Sequence, residues 1–371
     1  MRNTLLRSAR RERGWTQQQL ADFAQLSLST IERAERGKSI RGDSIERICE
    51  CLQKTPEQLG FIRHSSDILH DASHKLSLDD YLSTLESEMK LRWSLYHTGG
   101  TNLAYQGLNF WIQRISECAN LLRDTNLYER ALTLLSIAYQ LQGSVLRDKM
   151  LYHEAQLAHR KSFLIAKELF NPELIASALV REGITFNQQD RPKEAIACFM
   201  HALETIKHLG YVQLEAYTYQ ALSEAQAKAQ LPKESWTSIN LAEKSFEKQS
   251  SVQEQTLIRF SLSSLNAQKG VNSMILHQYQ QALDQLDHSL EHYNPALLRG
   301  RARLLIQKAE AYYNLGSLDA CVANTQEAFN LARSAGSNKI ISRVKNLYMN
   351  LKESKWRKEQ VVSHLDDVLA E

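Results

Sequence analysis

The run Pro192-Lys193-Glu194-Ala195 returns as Pro232-Lys233-Glu234-Ser235, 40 residues later, and Ala202 then falls on Ala242. Taken backwards, the same step sets Gly183 on Gly143 and Ala195 on Ala155. A fixed period of roughly 20–50 residues marks a stacked array, in which each unit can bury its apolar side only against its neighbours. Small residues at fixed offsets let two antiparallel helices touch, and large ones such as Phe186 and Phe199 fill the space between them. The chain also holds only 14 glycines and 5 prolines among 371 residues, well below the usual ~7% and ~5%. Helices can therefore run long. The expected fold class is all-α, and barrels, sandwiches and doubly wound sheets are excluded. Later copies are looser: Ala282 with Leu286, then Ala309, Tyr312, Gly316, Cys321 and Ala328.

A hydrophobic fraction of 43% with 23% charged residues argues against global disorder. The longest uncharged stretch of note, Ala131 to Leu146, carries Ser136, Gln140, Gln142 and Ser144. It falls short of the ~20 apolar residues of a membrane span. The N-terminus is charged through Arg13 and has no apolar core of a signal peptide. Cys49, Cys51, Cys118, Cys198 and Cys321 form no C-x-x-C pair, which reads as reduced thiols in a cytoplasmic protein.

Charge is uneven along the chain. Residues 1–41 hold nine basic and four acidic groups, a net +5, whereas the whole chain carries only +3. A basic cap on a slightly acidic body suits a small nucleic-acid reader on a neutral platform, or a merely solubilising terminus. Apolar spacing favours the reader. Leu5, Leu6 and Ala9 share a face of a first helix ending at Gly14, and Thr16 caps a second that contains Leu20 and the small Ala21. Ser27 caps a third, Leu28 to Arg36, with Ile31 and Ala34 inward and Gly37 just past its end. Ile45, Ile48 and Leu52 stripe a fourth, and Pro56 opens a short fifth with Leu59.

The pattern Gly14-Trp15-Thr16-Gln17-x-x-Leu20-Ala21, then Ser27-x-x-Thr30-Ile31-x-x-x-Glu35-x-Gly37-Lys38, resembles the five-helix repressor-type helix-turn-helix domain of XRE-like regulators. The resemblance covers residues 1–60 and departs at Gln25, where the family usually has glycine. It implies that the third helix enters the major groove while the second crosses the backbone. Carried over position by position, Leu28, Ser29 and Arg33 face base edges, with Leu28 on a thymine methyl and Arg33 on a guanine. Gln17, Ser27 and Thr30 hold phosphates, and Arg10, Lys38 and Arg41 add salt-sensitive grip. A solvated face, or ion pairs of Arg33 and Arg36 with Glu32 or Glu35, is the structural alternative.

Downstream, Gly183, Phe186, Ala195, Phe199 and Ala202 meet in order the small and aromatic positions of the tetratricopeptide repeat, which the segment resembles with a longer period. Five or six helix pairs are expected over residues 78–350, after a linker at 61–77 and before a C-terminal helix at 351–371. Together the two parts resemble the peptide-sensing RRNPP quorum regulators. That resemblance implies a homodimeric transcription factor whose concave repeat face takes a short peptide, or a protein partner, and sets the spacing of two DNA-reading heads. Residues about one turn past the small position then line that face: Arg147, Asn187, Ala227 and Tyr313, with Gln188, Lys228 and Asn314 beside them. Asn187 suits a peptide backbone, and Arg147 or Lys228 a carboxylate.

The apolar residues between Ile340 and Leu369 predict one helix that caps the array or forms a dimer contact. No nucleophile or acid–base set has a local signature, so the chain is not expected to be an enzyme. A scaffold, or a repeat-type phosphatase acting on a response regulator, are the alternative functions. Gly37-Lys38-Ser39 lacks the upstream glycine of a P-loop, Glu32 standing there instead. His70 and His74 lack further ligands nearby, and Ser289-Leu290-Glu291 between His288 and His292 does not make an H-E-x-x-H motif, so neither cofactor nor metal is expected.

Overall fold

A computed structural model describes residues 3–38, 40–56, 58–61, 78–248, 252, 254–258 and 260–370, with the backbone alone at 367 and 370. The expected linker, with His70 and His74, lies outside the described residues apart from Phe61. The chain forms two compact units, residues 1–81 and 82–371.

The first unit contains α1 (Thr4–Glu12), α2 (Gln17–Phe23), α3 (Leu28–Glu35) and α4 (Gly42–Leu52). Asn3, Thr16 and Ser27 cap the first three, accepting from the amides of Leu6, Gln19 and Thr30 respectively. Gln19 returns the bond to Thr16 and completes a capping box. Gln25 takes the left-handed conformation at φ 52°, and its carbonyl accepts from Arg47. Leu6, Leu20, Ala21, Ile31, Ala34, Ile48, Leu52 and Leu59 close one core. Leu5, expected on the inner face, is exposed, and a turn at Thr55 stands where the fifth helix was expected.

The second unit holds most of α5 (Leu78–His97), then α6 (Thr101–Tyr105) and α7 (Leu108–Leu121), ahead of an array of antiparallel pairs. These are α8 (Tyr128–Asp148) with α9 (Tyr152–Glu168), α10 (Pro172–Gln188) with α11 (Pro192–Thr205), and α12 (Val212–Lys228) with α13 (Pro232–Glu247). Then come α14 (Leu262–Ile275) with α15 (Tyr279–His292), and α16 (Leu298–Leu315) with α17 (Leu318–Ser334). Finally α18 (Asn338–Glu353) packs with α19 (Gln360–Ala370).

One rule places the first five pairs. A small residue on the first helix faces the residue 16 positions later on the second. A Cβ built on Gly143 would sit 2.3 Å from His159, on Gly183 2.7 Å from Phe199, and on Gly270 2.7 Å from Leu286. Ser223 with Ile239 and Ala309 with Thr325 keep the same offset, and all four are buried. Each intervening turn then holds a left-handed residue: Met150, Asp190, Gln230, His277 and Gly316. Gly270 heads the looser copy that contains Ala282 and Leu286. Gly183→Ala is expected to destabilise by about 1–2 kcal/mol, because the overpacking against Phe199 exceeds the helix propensity gained. Denaturant unfolding checks it, and an unchanged midpoint would mean that Phe199 yields freely.

The expected single C-terminal helix is two. Ser354 leaves helical geometry with ψ 178°, and its hydroxyl accepts from the amide of Trp356, which turns the chain before α19. Lys352 then bridges to Asp366 at 2.8 Å. Val344, Leu347, Leu351, Val362 and Leu365 are buried against α16 and α17, so this hairpin caps the array.

The spacing from Ser223 to Gly270 exceeds 40 because the chain between α13 and α14 is longer. Its residues Glu254, Thr256 and Leu257 are stitched down. Glu254 accepts from the first amides of α12, Gln213 at 2.7 Å and Leu214 at 2.9 Å. Glu173 accepts from the Thr256 amide at 2.6 Å, and His97 Nε2 donates to the Leu257 carbonyl at 3.2 Å. Asp148, ending α8, accepts from Thr101 Oγ1 at 3.3 Å and from Ser337 Oγ at 3.2 Å, 189 residues further along.

Candidate nucleic-acid interface and repeat interior

The back of α3 is buried and its front is exposed. Ile31, Ala34 and Glu35 are buried, while Ser27, Leu28, Ser29 and Arg33 are exposed and Thr30 is half-buried. Ser27 Oγ lies 2.9 Å from Ser29 Oγ and 2.8 Å from Thr30 Oγ1, which gathers three hydroxyls at the helix start. Backbone amides there and the positive end of the helix dipole favour a phosphate oxygen. Arg33 projects one turn later, and Lys38 and Arg41 are exposed beyond the helix end. Arg36 pairs with Glu32 at 3.2 Å, the ion pair the sequence allowed for it.

Arg10 does not belong to this surface. It is 8% exposed, with Nε 2.6 Å and Nη2 3.2 Å from the two Glu35 oxygens and Nη1 donating to the Trp15 carbonyl. Gln17 also donates to Glu35, at 2.6 Å, and is half-buried. A carboxylate inside the head needs charged and polar donors, so Arg10 serves that need and is withdrawn from phosphate contact. Arg10 is a positioning residue that ties α1 to α3.

In the second unit, the residues predicted to line one face separate. Arg147 is buried and donates through Nη2 to Tyr96 Oη at 3.3 Å. Asn187 is 4% exposed; its carbonyl accepts from Lys228 Nζ at 2.8 Å, and its Oδ1 has no partner. Lys228 also pairs with Asp190 at 2.6 Å. Gln188 is half-buried with its Oε1 enclosed and unpaired, and Ala227 is buried. Asn187, Gln188 and Lys228 are therefore neighbours. Tyr313 instead packs on Trp356, ring centroids 5.5 Å apart, in the C-terminal cluster, and exposed Asn314 bonds back to the Glu310 carbonyl of its own helix.

Sequence reasoning missed the aromatic residues that occupy the interior. Trp93 is 1% and Tyr96 3% exposed, their ring centroids 5.8 Å apart. The Arg181 guanidinium lies 4.3 Å from the Trp93 ring centroid and that of Arg299 3.7 Å from the Tyr96 centroid. A cavity of about 470 Å³ borders Trp93, Ser94, His97, Glu254, Thr256 and Leu257. The sequence signal for Arg181 is weak: it stands with Glu182 between the apolar Leu179-Val180 and Gly183-Ile184. A second cationic group follows, in which Arg303 pairs with Glu224 at 2.6 Å and Arg343 with Glu310. Burial pushes the nearby Lys339 amine down to about 7, with Glu224 opposing that shift. His288, Glu291 and His292 lie together, all exposed, on α15.

Residues 6–59 match the Helix-turn-helix family, so the first unit is a helix-turn-helix domain. The chain has the fold of RapI in its apo form, at 17% identity and TM-score 0.51, over 73% of this chain and 90% of that one. A Rap protein solved in complex with Competence and Sporulation Factor matches at 9% identity and TM-score 0.51, over 78% and 87%. No curated protein matches the chain. Among the described residues no helix is long and apolar enough to cross a membrane.

Proposed function

We propose that this chain is a sequence-specific DNA-binding transcriptional regulator, with α3 reading the major groove and the repeat unit sensing a peptide or protein partner. The observation that carries the reading is the exposed front of α3 on a buried back, in a domain of the helix-turn-helix family. Leu28, Ser29 and Arg33 read bases; Ser27, Thr30, Lys38 and Arg41 hold phosphates, with Gln17 contributing from the α2 start. The sensing role draws support from the fold shared with the factor-bound Rap protein and from the enclosed amides of Asn187 and Gln188. Binding there changes the spacing of two heads in a cytoplasmic homodimer, because operators of such heads come as half-sites one helical turn apart. On this reading the chain performs no catalysis.

Selection of bound sequences from random DNA tests the proposal directly. Arg33→Ala is expected to cost about 2 kcal/mol in specific binding and to relax one operator position. Lys38→Ala should weaken all sequences alike and flatten the salt slope. An unchanged consensus and affinity for Arg33→Ala would remove α3 from the major groove. A strictly monomeric species by sedimentation, with and without DNA, would remove the dimer.

A further inference from the structure

Three arginines from three different helix pairs meet at the Trp93–Tyr96 pair. Arg147 reaches Tyr96 Oη, Arg181 stacks over Trp93, and Arg299 stacks over Tyr96. Arg147 is 8% and Arg181 4% exposed, and each keeps one terminal nitrogen, Nη1 and Nη2 respectively, enclosed without an acceptor. Arg299 Nη1 is likewise enclosed without a hydrogen-bond acceptor, although 20% of its side chain reaches the surface. Among the described residues, the carboxylate paired with this cluster is Asp148, 3.9 Å from Arg299 and already accepting from two hydroxyls. Three guanidinium groups against one carboxylate leave two positive charges in excess. Burial pushes the Arg181 guanidinium down to about 10, and the charge of Arg147 adds to the fall. Its orientation is nevertheless held, because Nε donates to Gln140 at 2.9 Å and Gln140 in turn donates to Ser177 at 2.8 Å.

Unpaired buried charge is costly, and an enclosed guanidinium N–H is satisfied best by an oxyanion, often bidentately. The cavity of about 470 Å³ shares Trp93 with the cluster, since Arg181 stacks on that ring. Its other walls include Lys90, His97 and Glu254, and it leaves room there for a small segment. We propose that Arg147, Arg181 and Arg299 form an anion cage that binds a peptide bearing two carboxylates, a free C-terminus and one acidic side chain. This rests on the peptide-sensing reading above and adds the charge class of the ligand. Arg299 is the entry, being the partly exposed member, and Trp93 and Tyr96 supply the apolar wall.

The test is thermal unfolding of the full chain at constant ionic strength with three probes. These are a random heptapeptide pool with one fixed glutamate and a free C-terminus, the matched pool with glutamine and a C-terminal amide, and citrate. The acidic pool is expected to raise the midpoint at concentrations at least about tenfold lower than the amide pool. Arg181→Met, which keeps the bulk and removes an unpaired buried charge, and Arg299→Gln, at the partly exposed position, should each erase that difference. Equal shifts by both pools, or an acidic shift that survives both substitutions, would overturn the cage and leave the peptide sensor standing. A shift with citrate alone, lost in both variants, would keep a carboxylate site and remove the peptide. No shift with any probe removes both.

Discussion

Glu35→Ala is expected to abolish DNA binding by unfolding the reading head, at a cost of about 3–5 kcal/mol. Glu35 is 7% exposed, takes two bonds from Arg10 and one from Gln17, and its carbonyl accepts from the Asn3 amide at 2.9 Å. Truncation leaves the Arg10 guanidinium buried without a counter-charge, which costs more than the pair contributes when intact. Hydrogen exchange over α1–α4, with a DNA-binding assay, reads the effect. The double change Arg10→Met with Glu35→Leu should restore much of the protection, since apolar replacement of both partners removes the stranded charge. A head that keeps both protection and binding in Glu35→Ala would show that the core alone holds α1 against α3.

The second large effect is acid sensitivity at His159. The ring is fully enclosed, and neither nitrogen has a partner. Burial, then the charges of Arg147 and Arg181, hold its pKa well below the usual 6.5, so the folded protein keeps the ring neutral. The unfolded chain takes a proton below about pH 6.5 that the folded chain refuses. Stability is therefore complete above that pH and falls below it, by roughly 1.4 kcal/mol per pH unit until the folded group also titrates. His159→Phe copies the Gly183–Phe199 solution at the Gly143 position and should flatten this slope. Urea unfolding at pH 7.5, 6 and 5 compares the two proteins. Parallel slopes would place the acid sensitivity elsewhere.

Local chemistry made much of this architecture readable. Thr16 and Ser27 announce helix starts because a side-chain oxygen must meet orphan amides, and small residues mark close helix approach wherever they recur. Gly270 escaped because the chain between α13 and α14 breaks the 40-residue step, although the 16-residue offset within the pair survives. Arg10 looked like a phosphate contact because its position on α1 carries no trace of Glu35, 25 residues away. The break at Ser354 depends on one hydroxyl bond that apolar spacing does not encode. The arginine cage is less legible still: its members come from α8, α10 and α16, and only the stacking of the pairs brings them to Trp93 and Tyr96.

The bond from Ser337 to Asp148 bears on how such a chain can change over generations. Open solenoids lengthen and shorten by duplicating or losing whole repeats, since each touches only its neighbours. Here the first pair is tied to the junction after the fifth, and a pair gained or lost between them would carry Ser337 away from Asp148. Arg299 would leave Tyr96 by the same displacement. Substitutions and loop-length changes leave both ties in place, whereas a change in repeat number breaks them together.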